Sequence, residues 1–218
     1  MVKILEDYEQ PFDAYLDFEK MISEYTGAPY VVLTDCCTHA MELCIRYWAR
    51  ENQIDLTQRS VVLPHRTYLS VPMMIHKLGI TLEDYELLNW DSDDMYPIRG
   101  VVNDKVYDCA RLFKEDMYIK GTYMCLSFGH RKPLQIGNGG AILLDDVEEY
   151  NDLKQMTYDG RAIHDFDPWV DQAVFKVGYH YNMRVETTIR GMRLLHDGEI
   201  GKALPFYYPD LREITIVF

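Results

Sequence analysis

The feature that most constrains the fold of this chain is the alternation of short apolar runs with longer amphipathic ones. Residues 30–33, 61–63 and 80–85 have the length and composition of buried strands. Between them, residues 38–48 and 67–78 carry apolar side chains at helical spacing. Strands separated by helices favour a parallel or mixed sheet covered on both faces. The sequence therefore predicts an α/β fold with ligands bound near the carboxyl ends of the strands.

The rest of the chain continues this pattern less regularly. Further strands are predicted at residues 105–107, 123–128 and 141–144, and further helices at 12–25, 147–156 and 185–195. Residues 88–100 lack periodicity and are predicted to form a loop, and residues 161–176 to be irregular. A length of 218 residues fits one domain better than two. We expect a single domain over residues 1–218, with a helical lead-in at 1–25 and a C-terminal helix and tail at 185–218.

Charge and cysteine content exclude several classes of protein. The formal net charge of −13 argues against sequence-independent binding of nucleic acid, which needs clustered Lys and Arg. The five cysteines are an odd number without metal-type spacing, so neither a disulfide framework nor a metal site is predicted. The first residues lack the apolar core of a signal peptide, and no apolar run approaches the length of a membrane span. We expect a cytoplasmic protein that binds neither nucleic acid nor membranes.

The most informative stretch for chemistry covers residues 127–140, Ser-Phe-Gly-His-Arg-Lys-Pro-Leu-Gln-Ile-Gly-Asn-Gly-Gly, between two predicted strands. A lysine that bonds to an aldehyde cofactor must be partly desolvated so that its amine can be neutral, and nearby glycines let the backbone approach a ligand. Lys132 stands in such a stretch. Taken alone, a lysine before a glycine-rich hairpin is more often a solvated surface charge.

This stretch resembles the lysine motif of the DegT/DnrJ/EryC1/StrS family of sugar aminotransferases. That motif has Ser-Phe, three variable residues and Lys, followed four residues later by Gly-x-Gly-Gly. The resemblance implies a fold-type I large domain, a three-layer α/β/α sandwich with a mostly parallel central sheet, and pyridoxal 5′-phosphate (PLP) as the cofactor. It implies that Lys132 holds PLP covalently and acts as the general base, and that Ser127 contacts the PLP phosphate. It also implies a cofactor-binding domain without the family's C-terminal small domain.

A second family-like segment covers residues 34–40, Thr-Asp-Cys-Cys-Thr-His-Ala. The family has a turn of small residues here, between a strand and a helix, which binds the cofactor phosphate. The resemblance implies that the N–H groups of Cys37 and Thr38, and the Thr38 hydroxyl, bind this phosphate at the N-terminus of the helix. The same residues also fit a plain helix N-cap. Cys37 departs from the usual small residue, and Asp35 brings a like charge towards the phosphate.

Two further segments resemble the family's contacts to the cofactor ring. Residues 63–68 match its Pro-x-x-Thr-aromatic segment, which implies that Tyr68 stacks on the pyridine ring. Residues 106–111 match its Glu-Asp-x-Ala-Gln/His segment, which implies that Asp108 pairs with the ring nitrogen and keeps it protonated. Arg111 stands where the family has a Gln or His that contacts the ring oxygen. Taken alone, Tyr68 is equally consistent with a residue packed in the core. Asp108, taken alone, is equally consistent with a residue that caps a turn at the end of a strand.

The last family-like segment, residues 178–183, precedes the predicted C-terminal helix and matches Gly-Tyr-x-Tyr-Asn. In the family this loop crosses to the neighbouring subunit and contacts the phosphate of its cofactor. The resemblance therefore implies that Asn182 binds the partner's PLP in a homodimer with shared active sites. By itself, an aromatic-rich loop is usually a matter of packing.

The function implied by the resemblance is transfer of an amino group from an amino-acid donor, glutamate, to a keto sugar carried on a nucleotide. An alternative is a catalytically silent remnant that serves as a regulatory or assembly subunit. The joint presence of Lys132 and Asp108 opposes this alternative, because a scaffold needs neither. A related sugar dehydratase is a third possibility, but enzymes of that branch have histidine in place of the lysine.

Overall fold

The alternation of strands and helices is present in the computed structural model, which describes residues 3–86, 95–162, 169–205 and 207–215. The α-helices in these ranges are α1 (Asp13–Thr26), α2 (Cys37–Glu51), α3 (Ser70–Lys77), α4 (Val147–Thr157) and α5 (Val185–His196). The strands are β1 (Tyr30–Thr34), β2 (Ser60–Pro64), β3 (Thr81–Glu86), β4 (Tyr96–Pro97), β5 (Val106–Asp108), β6 (Tyr123–Ser127) and β7 (Gly140–Leu144).

The strands form a mixed sheet. Five of them are hydrogen-bonded in the order β1-β7-β6-β5-β4, and β2 and β3 form a separate parallel pair. Only β5 and β6 are parallel within the larger sheet, whereas β4–β5, β6–β7 and β1–β7 are antiparallel. The α/β class is confirmed. In the larger sheet, β1, β5 and β6 run in one direction and β4 and β7 in the other. Strand β7 runs against β6 because the loop between them contains no crossover helix.

Helices cover both faces of the larger sheet, which confirms the three layers. Alternate strand residues point to opposite faces, so Val32, Cys125 and Ile142 pack with α2, α3 and α4. Val31 and Leu143 pack on the other face with α1 and α5. Helix α2 crosses β6 and β7, and α1 packs against α5. The N-terminus of α2 is thereby held at one end of the sheet.

The element boundaries differ from the predicted ones in two places. Helix α3 begins at Ser70 and not at residue 67, which leaves a loop after β2. Strand β4 lies inside the segment 88–100 that was predicted to be a loop, while residues 87–94 lie outside the described residues. In the described parts of 161–176 the only regular element is a short 3-10 helix, Trp169–Asp171. Among the described residues, no helix combines the length and apolar character needed to cross a membrane.

Candidate functional site

A cavity of about 350 Å³ lies at the end of the sheet where β1 and β6 finish. Its walls come from the N-terminus of α2, the loops after β2, β5 and β6, and the chain beyond α5. The lining residues are Cys36, Cys37, Thr38, Tyr68, Arg111, Ser127, Gly129, His130, Arg131, Lys132, Gly137, Leu204 and Tyr208. The fold thus gathers six residues that the sequence analysis assigned to cofactor binding, from four separate parts of the chain.

The buried carboxylate of Asp108 lies behind the Cys37 wall of this cavity, at the end of β5. Its Oδ2 accepts a hydrogen bond from the Tyr96 hydroxyl at 2.9 Å, and its Oδ1 accepts one from the Ala110 N–H at 2.8 Å. Burial raises the pKa of Asp108 above its usual value, and these two donors and the charge of Lys132 oppose that rise. Burial thus opposes the charged form of Asp108, while two neutral donors and one nearby cation favour it.

Tyr96 is a buried hydrogen-bond partner of Asp108 that the sequence analysis missed. It lies opposite Asp108 in the antiparallel β4–β5 pair, and its hydroxyl is also 2.7 Å from Thr67 Oγ1. Strand β4 has only two residues, Tyr96–Pro97, too few to show a period in the sequence. The one available signal was a tyrosine next to a proline in an otherwise acidic segment.

Cys37 occupies the space between α2 and Asp108. Its thiol donates to the carbonyl of Cys125 at 3.2 Å and lies 3.8 Å from Asp108 Oδ1. Burial raises the pKa of Cys37 well above its usual value, so the group remains a neutral thiol. Helix α2 can come this close because β7 begins with glycine: a Cβ on Gly140 would lie 2.6 Å from the Cys37 nitrogen and 2.5 Å from the Cys36 carbonyl carbon. Cys37, which replaces the family's usual small residue, therefore packs between the cavity and Asp108 and helps to form the buried end of the cavity, its floor.

The N-terminus of α2 faces the cavity through Cys36, Cys37 and Thr38. The first N–H groups of a helix have no acceptors within it, so this end can receive an anion. Cys36 is the N-cap residue, and its sulfur accepts from the His39 N–H at 3.5 Å. The Thr38 hydroxyl lies 2.6 Å from that of Ser70, which ties α2 to the start of α3.

Asp35 does not bring an uncompensated negative charge to this end of the cavity. Its carboxylate is 2.7 Å from His39 Nδ1, and the His39 ring stacks on Tyr181 at 3.7 Å between ring centres. Burial opposes protonation, but hydrogen bonds to Asp35 and Cys36 raise the pKa of His39 to about 10. His39 is therefore a cation at neutral pH and neutralises Asp35. Asp35, Cys36 and His39 also place potential metal-ligand atoms within 4.8 Å of one another, but the first and third of them are already paired.

Lys132 lies in the loop between β6 and β7, where backbone hydrogen bonds fix its position. Its N–H donates to the Gly129 carbonyl at 3.2 Å, and the Phe128 N–H and carbonyl bond to the two glycines near the other end of the loop. One of these, Gly137, has a φ of +111°, which favours glycine. The half-buried Lys132 side chain lies in the cavity wall and is close enough to Asp108 to lower its pKa. The structure therefore brings together the two residues predicted to be catalytic.

Three arginines donate to backbone carbonyls of the chain beyond α5, and two of them, Arg111 and Arg131, line the mouth of the cavity. Arg66 reaches the Tyr208 carbonyl at 3.0 Å, Arg111 that of Leu204 at 3.3 Å, and Arg131 that of Pro205 at 3.4 Å. The exposed Tyr68 ring makes an edge contact with the Tyr208 ring at 6.3 Å. The sequence analysis missed this use of residues 204–208, because they carry no strand or helix pattern.

The structure does not bring Asn182 to this cavity. Its amide nitrogen is 3.3 Å from the hydroxyl of Tyr15, which itself donates to the Met183 carbonyl. The segment is fixed by a hydrogen bond from the Asp35 N–H to the Tyr181 carbonyl, at 2.7 Å. Asn182 instead borders a second cavity of about 280 Å³ near the N-terminus of α5, and its buried Oδ1 has no hydrogen-bond partner among the residues that the structure describes.

The sequence matches one family model in two blocks. The model of the DegT/DnrJ/EryC1/StrS aminotransferase family matches residues 7–82 and 119–190, which is more than half of the chain. The chain belongs to this family. The matched blocks contain α2, β6, β7 and the start of α5, and with them every predicted site residue except Asp108 and Arg111. A search of curated protein sequences gave no match.

Solved structures share the fold of this family member at low sequence identity. CalS13, a sugar aminotransferase from Micromonospora echinospora, has a TM-score of 0.65 at 16% identity, over 84% of this chain and 61% of that one. PseC from Helicobacter pylori, an aminotransferase involved in pseudoaminic acid biosynthesis, has 0.62 at 14%, over 88% and 60%. A protein from Streptococcus pneumoniae described as a sugar aminotransferase, in its PLP-form, has 0.62 at 16%, over 84% and 59%. The chain thus spans about three fifths of the length of these structures.

Proposed function

We propose that this chain binds PLP and transfers an amino group from an amino acid, glutamate, to a keto sugar carried on a nucleotide. One observation carries the proposal: the half-buried Lys132 lines a cavity at the N-terminus of a helix, and the buried carboxylate of Asp108 lies behind the Cys37 wall of that cavity, near enough to feel the charge of Lys132. Membership of an aminotransferase family supports the reaction type. The sugar acceptor is supported by the described functions of the structural relatives.

The chemistry of the lining residues fits PLP. The N-terminus of α2, with the hydroxyls of Thr38 and Ser127, suits the phosphate group. Asp108 suits the ring nitrogen, Tyr68 can stack on the ring, and Lys132 suits the aldehyde. The neutral pair of Asp35 and His39 removes the one charge that would oppose the phosphate. Arg111, predicted to contact the ring oxygen, also lines the cavity, next to the chain beyond α5.

When bound, PLP supplies a conjugated ring that accepts the electron pair released at the substrate carbon. The chain contributes the steps around it. Asp108 would accept a hydrogen bond from the protonated ring nitrogen and keep it protonated. Lys132 would hold the cofactor through its Nζ; once the amino donor has displaced it, the freed Nζ would take the proton from the donor Cα and return it one position away. Tyr68 and the β6–β7 loop orient the reacting groups.

The covalent role of Lys132 can be tested directly. Borohydride treatment of the PLP-loaded protein should attach a pyridoxyl group to Lys132, located by peptide mapping, and addition of glutamate beforehand should bleach the yellow colour. Lys132→Ala should show neither result, whereas Lys105→Ala, a lysine in the β4–β5 connection, should behave like wild type. A pyridoxyl group on Lys105 or Lys120 would refute the assignment.

The same experiment distinguishes the second candidate function. The chain beyond α5 occupies the guanidinium groups around the mouth of the cavity, which favours a PLP-binding regulatory or assembly subunit without turnover. In that case, borohydride still labels Lys132, but the colour does not respond to glutamate or to any other amino acid. A spectral response to an amino donor excludes this alternative.

We further propose a homodimer in which Asn182 of the partner subunit contacts the PLP phosphate. The buried Oδ1 of Asn182 without a partner, and its place outside its own cavity, support a role beyond its own chain. Closed two-fold pairing is the commonest assembly of soluble oligomers. Asn182→Ala should weaken PLP binding roughly tenfold to a hundredfold, as expected for loss of a hydrogen bond to a charged group.

Subunit exchange tests this arrangement. Lys132→Ala and Asn182→Ala proteins are mixed at a PLP concentration where each is inactive alone. In the mixed dimer one site carries both substitutions, while the other combines a native Lys132 with a native Asn182. Activity should partly return. No recovery after proven exchange means that Asn182 serves its own subunit or has no role.

A further inference from the structure

We infer that Tyr96 is the residue that positions Asp108: its hydroxyl orients the carboxylate and keeps it ionised, so that Asp108 can hold the ring nitrogen protonated. The inference rests on the proposed function for the role of Asp108. It assigns a role to a side chain that no sequence motif marks and that lies in a two-residue strand.

The geometry gives the hydrogen bonds a direction. An ionised Asp108 can only accept, so the Tyr96 hydroxyl donates to Oδ2 at 2.9 Å. The Tyr96 oxygen lies 2.7 Å from Thr67 Oγ1. Because the Tyr96 hydroxyl proton is already donated to Asp108, the Thr67 hydroxyl must donate to the Tyr96 oxygen. A chain of donors therefore runs from Thr67 through Tyr96 to Asp108. All three side chains are buried, with exposed fractions of 2%, 3% and 6%.

Tyr96 remains a donor at every pH of interest. Burial, followed by the charge of Asp108, raises the pKa of Tyr96 well above its usual value. The antiparallel register of β4 and β5 places Tyr96 directly opposite Asp108, so the contact is set by backbone pairing and not by a flexible loop. The pairing of β4 with β5 therefore fixes the position of the Tyr96 hydroxyl relative to Asp108.

The hydrogen bonds also fix how the carboxylate of Asp108 is oriented. Oδ1 accepts from the Ala110 N–H and lies 3.8 Å from the Cys37 sulfur, whose proton is donated to the Cys125 carbonyl. Oδ2 accepts from Tyr96, and each carboxylate oxygen can accept about two hydrogen bonds, so each oxygen keeps an acceptor position for the ring N–H. Tyr96 holds Oδ2 in place, and its donation stabilises the charge that burial opposes.

The test measures the titration of Asp108 in the protein without PLP. The carboxyl carbons of aspartate are labelled with carbon-13, and the Asp108 signal is identified by its loss in Asp108→Asn. In Tyr96→Phe, Asp108 should become protonated at a higher pH than in wild type, because a donor to its charged form has been removed. Tyr107→Phe is the matched control, since Tyr107 is the neighbour of Asp108 in β5 but packs on the opposite face of the sheet. It should leave the titration unchanged.

A second variant and a second readout keep the inference falsifiable. Thr67→Val, which is nearly isosteric and leaves the Tyr96 ring in place, should shift the titration in the same direction by a smaller amount, even if Tyr96→Phe does not fold. In the PLP-loaded protein, Tyr96→Phe should lower turnover roughly tenfold to a hundredfold while the Kd for PLP changes by less than about threefold. An Asp108 titration that is identical in wild type, Tyr96→Phe and Thr67→Val overturns the inference. Failure of the wild type to bind PLP overturns the proposed function instead and leaves the titration result interpretable.

Discussion

The floor and the mouth of the cavity are built in different ways. At the floor, the Tyr96 hydroxyl of β4 bonds to Asp108 of β5 and to Thr67 Oγ1, and the Ala110 N–H bonds to Asp108, with contacts of 2.7–2.9 Å. Near the mouth, three arginines reach backbone carbonyls at 3.0–3.4 Å, Arg66 also lies 3.6 Å from Asp210, and Tyr68 is 56% exposed. The floor is therefore fixed by strand pairing, whereas the mouth is held by longer contacts near the surface. The proposed chemistry depends on the floor and substrate access on the mouth.

The largest effect should follow from a change at the floor. Asp108→Asn keeps the shape of the side chain but removes its charge, so the ring nitrogen loses its anionic partner. Turnover should fall on the order of 10²- to 10³-fold, a loss comparable with that of other groups that stabilise developing charge. PLP should still bind, because its phosphate end is held elsewhere. If this variant aminates at the wild-type rate, Asp108 has no role in turnover and is only a turn residue. The floor and the mouth would then not differ in function.

The same variant should be more stable without PLP. Because the pKa of Asp108 is raised in the folded chain, its burial as an anion costs stability above that pKa, and the cost vanishes as pH falls below the unfolded value of about 4. Asp108→Asn should therefore unfold at a higher temperature than wild type at pH 7, and the difference should disappear near pH 4. A gain of about 1 kcal/mol corresponds to roughly 2–4 °C at this chain length. A lower midpoint at pH 7 would show that the donors around Asp108 more than offset its burial.

The smallest effect is expected at the mouth. Arg131→Ala removes one exposed guanidinium and its 3.4 Å contact with the Pro205 carbonyl. Stability should change by less than about 0.5 kcal/mol. The KM for an anionic acceptor is expected to change more than kcat, because the arginine can bind substrate but does not reach the floor. A large fall in kcat with unchanged KM would contradict the separation of the two regions.

The sequence indicated the parts of the site that are local in the chain. Lys132, Ser127, Thr38 and Tyr68 each follow a strand or start a helix in a short, recognisable segment, and the structure places them at one cavity. The strand at residues 106–108 likewise placed Asp108 at its end. Local patterns are sufficient here because turn geometry and helix ends are determined within a few residues.

The parts that sequence reasoning missed depend on pairing between distant segments. Tyr96 meets Asp108 only through the register of β4 against β5, and Leu204, Pro205 and Tyr208 meet their arginine partners only because the chain beyond α5 folds back over the loops. The direction of β7 follows from its pairing with both β1 and β6, which no periodicity reveals. The charge of Asp35 looked unfavourable in the sequence because its neutralising partner, His39, could not be identified before the start of α2 was known. The homodimer and the role of Asn182 stay predictions.

Gly140 has a consequence for how this site can diversify. The backbone of α2 approaches β7 so closely that any side chain at this position would collide with the main chain at Cys36 and Cys37. Direct backbone contact with β7 thus fixes the end of the cavity that is proposed to bind phosphate. A loop movement cannot relieve the clash that a side chain at position 140 would cause. Under the proposed function, a new acceptor is accommodated more readily by changes at Arg111, Arg131, Leu204 and Tyr208, which line another part of the cavity and leave the contact at Gly140 in place.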